Sequence, residues 1–126
     1  MNTAIFFADG FEEIEGLTVV DMFRRAGISI QTVSISDSLT VTGSHDIKVQ
    51  ADCLLKDFDF NTVEMLILPG GMPGTTNLSK CEPLCDALMQ FSRQGHYLAA
   101  ICAAPSILGG LGILNGRVAT CYPGFE

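Results

Sequence analysis

Chemistry in this chain concentrates where an apolar run meets a cysteine. Tyr97-Leu98-Ala99-Ala100-Ile101 is long enough for a strand buried on both faces, and it leads into Cys102, Ala103, Ala104 and Pro105. Small residues on both sides of the cysteine suit a sharp strand-to-helix turn, and Pro105 is at home in a first helical turn, where the N–H it lacks would be unpaired anyway. The pattern is that of a nucleophile elbow with sulfur in place of a serine oxygen. A free cysteine is most often a small buried hydrophobe, so a reactive one needs help. Moving a thiol from about 8.5 to about 6 takes roughly 3.4 kcal/mol, whereas a helix terminus supplies only about 0.3 to 2 kcal/mol. A second group must act on the sulfur.

Three motifs in order supply a resemblance. Asp9-Gly-Phe-Glu-Glu-Ile-Glu15, Leu68-Pro-Gly-Gly71 and Ala99-Ala-Ile-Cys-Ala-Ala-Pro105 together resemble the ThiJ/PfpI superfamily, in its DJ-one branch, over essentially the whole chain. That resemblance implies a flavodoxin-like α/β three-layer sandwich with a mostly parallel sheet. It implies that Glu15 is a protonated acid donating to the Cys102 sulfur, and that the Gly71 and Ala103 amides line an oxyanion site. Gly70 and Tyr122 are expected at the rim. Many relatives carry a histidine after the strand that follows the elbow helix; Tyr122 stands at the matching place here, which leaves a strict Cys-His-Glu triad without its base.

The resemblance implies a cysteine-dependent glyoxalase or deglycase acting on a small carbonyl substrate such as methylglyoxal, with no cofactor and no metal. One alternative is a redox sensor or chaperone in which Cys102 is oxidised to a sulfinic acid; a weaker one is an amidase or peptidase, which needs the histidine partner. A homodimer is expected. The family's members are longer, so the single domain read over residues 1–126 is expected to lack a final strand and helix.

The elements that would position these groups follow from the pattern. Thr3 to Ala8 reads as a central strand, and a helix follows with Ile14, Leu17, Val20, Met22 and Phe23 as its apolar positions and Gly27 beyond its end. Ile28–Ile35 is a second strand. Leu39–Thr42 and Ile47–Ala51 read as a polar-faced hairpin at the sheet edge, Val63–Leu68 as a buried strand, Glu82–Arg93 and Pro105–Leu111 as helices, and Arg117–Cys121 as one more strand. Ligands of open α/β sheets bind beyond the carboxyl ends of the strands, which is where Asp9 to Glu15, Gly70-Gly71, Cys102 and Tyr122 all fall.

Composition narrows the partners. A net charge of −7 argues against a nucleic-acid backbone. Five cysteines without framework spacing fit reduced thiols in a cytoplasmic protein. The uncharged run from Tyr97 to Leu114 contains Pro105, Gly109, Gly110 and Gly112, so it reads as a buried strand and helix and not as a membrane span. Cys81 and Cys85 lie one helical turn apart without a further Cys/His pair at ligand spacing, and packing is the favoured reading. Cys53 and Cys121 read as structural, with Cys121 close enough to the rim to be a second oxidisable thiol. His96 precedes Cys102 by a whole strand, roughly 20 Å at about 3.3 Å per residue, and belongs to the wrong end of the sheet. His45 reads as an exposed residue of the hairpin, able to reach a site only by folding over or across a dimer interface.

Overall fold

The computed structural model describes residues 1–126. Its chain order is β1 (Asn2–Phe7), α1 (Glu13–Arg25), β2 (Ser29–Ser34), β3 (Thr40–Thr42), β4 (Lys48–Gln50), β5 (Cys53–Leu54), β6 (Met65–Leu68), α2 (Gly74–Ser79), α3 (Glu82–Gln94), β7 (Tyr97–Ala100) and α4 (Pro105–Gly110). The main sheet has the order β5-β2-β1-β6-β7, and every pairing in it is parallel. With the two-residue β5 set aside, that is the flavodoxin-like order, with the change of direction between β1 and β6.

Alternation along β1 explains the three layers. Ala4 and Phe6 point into a core shared with Leu78 of α2, Leu84, Leu88 and Phe91 of α3, and Ile107 and Leu108 of α4. Ile5 and Phe7 point into the opposite core with Phe11, Val20 of α1, Ile30, Val41 and Ile67. A central strand buried on both faces has no polar side to offer, and after the exposed Asn2 the only polar residue of β1 is Thr3, whose hydroxyl donates to the Ser29 carbonyl at 2.9 Å.

The expected edge hairpin is present as antiparallel β3–β4, in a two-stranded sheet of its own that packs Val41 into the α1-side core. Three features depart from the sequence reading. In α1, Ile14, Leu17 and Met22 are exposed, Ile14 to 75%. The helix instead buries Glu13, Gly16 and Val20. Gly16 lies against the stacked rings of Phe7 and Phe11, whose centroids are 4.4 Å apart; a β-carbon there would meet both rings at 2.9 Å, so the helix approaches the sheet through a residue with no side chain. Helix α2 was not anticipated: Gly74-Thr-Thr-Asn-Leu-Ser is poor in helix formers, and it is held by Leu78, fully buried, and by the contact of Gly74 with the Phe11 backbone. Finally, Arg117–Cys121 forms no strand. Its backbone pairs with no sheet neighbour and Val118 is fully exposed, so strand-forming residue types have nothing to pack against.

Candidate active site

Two loops at the carboxyl ends of β1 and β6 interlock. The Glu12 N–H donates to the Gly70 carbonyl at 2.9 Å, and the Gly70 N–H donates to Glu15 Oε1 at 3.0 Å, so one peptide unit is held from both sides by the first turn of α1. Gly71 has φ +92°, and a β-carbon there would collide with the Glu12 backbone nitrogen; only glycine combines that conformation with that approach. Gly70 is wedged between the two reactive groups. A β-carbon on it would fall 2.7 Å from both Glu15 Oε1 and Cys102 Cβ.

Cys102 ends the third approach. It follows β7 directly and has φ +62°, a left-handed conformation that is strained for a residue with a β-carbon. The strain is held by neighbours: the Ile101 N–H donates to the Leu68 carbonyl, the Ala104 N–H to the Ile101 carbonyl, and the Tyr122 N–H to the Cys102 carbonyl at 2.7 Å. The elbow expected from the sequence is therefore present, although α4 begins at Pro105, three residues beyond the sulfur. Tyr122 joins the site through its backbone, and its side chain is exposed.

Cys102 and Glu15 are both half-buried and both lie against Gly70, and the Glu15 carboxyl and the Ala103 and Gly71 amides act on the sulfur. Burial first, then the Glu15 carboxyl as acceptor and as charge, push the Cys102 thiol above its ordinary value; the two amides pull it down. This reverses the expectation of a depressed thiol. The four groups named from the sequence do converge around the sulfur. A thiol and a carboxyl brought this close titrate as a coupled pair.

The histidines divide. His96 stacks beside Phe91, ring centroids 5.0 Å apart, just before β7 and at the far end of the strand from Cys102. His45 is exposed, as the sequence reading has it, and the hairpin folds it over the first turn of α1. Its Nδ1 is 3.1 Å from Glu13 Oε1 and 3.6 Å from Glu12 Oε2, at the start of the turn that carries Glu15. Glu13, one acid of the run Glu12-Glu13-Ile14-Glu15, is held by Ser44 Oγ, the His45 N–H and imidazole, and the Ile47 N–H. Burial would raise its carboxyl, but the backbone N–H groups of Glu13 itself, His45 and Ile47, together with the imidazole, outweigh that and hold it at about 2. A hint was available in Gly43-Ser-His-Asp46, a turn whose free amides need an acceptor: His45 N–H and Ile47 N–H reach Glu13 Oε2 at 2.9 and 3.2 Å.

The other thiols stand apart. Cys81 caps α3 and Cys85 sits in its first turn, its sulfur donating to the Ser79 carbonyl at 3.5 Å. Burial raises the thiols of both Cys53 and Cys85. Cys121 lies 4.0 Å from a Glu126 carboxylate oxygen, in a groove of about 730 Å³ beside Pro105 and Ser106. No helix is long and apolar enough to cross a membrane.

Comparison with known proteins places this geometry among relatives. A model of the DJ-1/PfpI family matches residues 1–126. Protein DJ-1 homolog B of Arabidopsis thaliana is 38% identical over 119 residues, which is 94% of this chain and 27% of the plant protein. A deglycase of Pyrococcus abyssi is 29% identical, covering the whole of this chain and 75% of the archaeal one. A glutathione-independent glyoxalase of Caenorhabditis elegans is 32% identical over 88% of this chain and 58% of its own length. Among solved structures, oxidised DJ-1 of Toxoplasma gondii superposes with a TM-score of 0.94 at 34% identity, over 98% of this chain and 68% of that one.

Proposed function

The chain belongs to the DJ-1/PfpI family, and on that premise we propose that it is a cysteine-dependent enzyme converting small α-oxoaldehydes such as methylglyoxal to 2-hydroxy acids. The observation that carries this reading is the convergence of Cys102 and the Glu15 carboxyl on either side of Gly70, with the Ala103 and Gly71 amides beside the sulfur. Glu15 takes the thiol proton as the sulfur attacks the aldehyde carbon, and the two amides stabilise the oxyanion of the hemithioacetal. Glu15 returns the thiol proton to the oxyanion, giving the neutral hemithioacetal, and is again a base; it then carries the proton from the former aldehyde carbon to the neighbouring carbonyl carbon while the hemithioacetal hydroxyl proton passes to the neighbouring oxygen, leaving a 2-hydroxy thioester that water hydrolyses. Substrate plus one water gives the 2-hydroxy acid and free thiol. In this scheme Glu15 is the general base, and the histidine missing at Tyr122 is not required. The same attack on glycated thiols or amines is a deglycase reaction. Names of two relatives, a deglycase and a glyoxalase, support this class of substrate.

Methylglyoxal loss compared among the unaltered chain, Cys102→Ser and Glu15→Ala tests the assignment. Both variants are expected to fall to background, and unchanged turnover in either rejects its role.

One observation favours a second reading, peroxide sensing. The acid and amides that surround the sulfur are also donors and acceptors for a sulfinate. Intact mass after mild peroxide decides: a sensor gains two oxygens at Cys102 before the other four thiols react, and indiscriminate oxidation removes this reading. We also propose a homodimer formed through the exposed apolar residues Ile14, Leu17 and Met22 of α1, in a reducing compartment such as the cytoplasm where five free thiols persist.

A further inference from the structure

The first turn of α1 carries three carboxyl groups in four residues, Glu12, Glu13 and Glu15, with a single imidazole against them. We propose that His45 is a positioning residue of the site: its positive charge offsets the acids of this turn, so that the proton shared by Glu15 and Cys102 leaves at lower pH when position 45 is cationic. The inference rests on the pairing of Glu15 with Cys102 but not on any turnover.

The geometry forms a continuous path. His45 Nδ1 contacts Glu13 Oε1 at 3.1 Å and Glu12 Oε2 at 3.6 Å. The Glu12 N–H donates to the Gly70 carbonyl, the Gly70 N–H donates to Glu15 Oε1, and Gly70 lies against both Glu15 Oε1 and the Cys102 β-carbon. The hairpin that carries His45 is tied down independently of its charge, by the Ser44 N–H to the Phe11 carbonyl at 2.8 Å and the Gly10 N–H to the Thr42 carbonyl at 2.8 Å. A neutral imidazole therefore stays in place and removes only the charge. The groups facing His45 are all acidic: Glu13 first, then Glu12 on α1, and Asp46 in its own turn, and together they hold the imidazole proton above the ordinary range for histidine. The imidazole consequently keeps its charge to higher pH than an ordinary histidine.

The test measures the pH midpoint of Cys102 alkylation by mass spectrometry in the unaltered chain, His45→Asn and His45→Lys. A unit charge roughly 10 Å away in a solvent-exposed setting moves a titration by about half a pH unit, and 1 M salt screens most of it. The midpoint of His45→Asn is expected above that of His45→Lys by about this amount at low salt, with the gap closing at high salt. Coupling is reciprocal, so Glu15→Gln should lower the His45 titration followed by NMR. Coincident midpoints for the two variants at low salt, or a His45 titration unmoved by Glu15→Gln, overturns the proposal. Neither readout uses carbonyl turnover, so an inactive protein rejects the proposed reaction and leaves this coupling standing or falling on its own.

Discussion

At the scale of single residues, the proposed site sets one thiol against one carboxyl. Gly70 lies against both, close to the Glu15 carboxyl and to the Cys102 β-carbon. Gly70→Ala places a methyl 2.7 Å from both and must push them apart. Misplacement of reacting groups by about 1 Å costs on the order of 100-fold in rate, and a loss of that size in methylglyoxal turnover is expected while the far-ultraviolet circular dichroism stays unchanged. Glu15→Gln separates two roles. An amide cannot carry a proton, so turnover should fall by about 100-fold or more even though the sulfur remains present and accessible. Retention of normal turnover in Glu15→Gln would remove the carboxyl from the mechanism.

At the scale of elements, the hairpin and the first turn of α1 are joined by a titrating contact with two limits. Glu13 has its carboxyl depressed to about 2 from an ordinary 4.5, so its contribution to stability is present above 4.5 and is lost as pH falls towards 2. His45 is raised from 6.5, so its contribution is complete below 6.5 and is lost as pH rises through the raised value. Denaturant unfolding should therefore find the stability difference between the unaltered chain and His45→Asn largest between pH 4.5 and 6.5 and shrinking above it. A difference independent of pH would show that the imidazole only packs. The exposed face of α1 yields a further prediction. Leu17, 38% exposed beside Ile14, would lie in the proposed dimer contact, and Leu17→Glu should give a monomer in sedimentation with its helix content intact. A Leu17→Glu dimer of unchanged affinity would place the contact elsewhere.

Across the whole molecule, sequence order alone gathered Glu15, Gly70, Gly71 and Cys102, because parallel strands deliver every following loop to one rim and these residues all follow strands. The elbow was legible too, since small residues and a proline flank the cysteine. What escaped was set by contacts between segments distant in the chain. Counting large apolar residues on α1 misses Gly16, whose lack of a side chain makes the buried contact with Phe7 and Phe11 and turns Ile14 and Leu17 outward. Strand-forming types at Arg117–Cys121 carry no information about whether a neighbour exists to pair with. The direction of the Cys102 shift was hidden because a carboxyl raises or lowers a thiol according to its own proton, and a motif does not state where that proton sits.

The account depends on the Glu15 carboxyl acting directly on Cys102, and the pH midpoint of Cys102 alkylation in Glu15→Gln against the unaltered chain tests this most directly. Removing the carboxylate should move the midpoint to lower pH, leaving a thiol easier to ionise in a protein that has lost its turnover. A midpoint that stays in place or rises would contradict it.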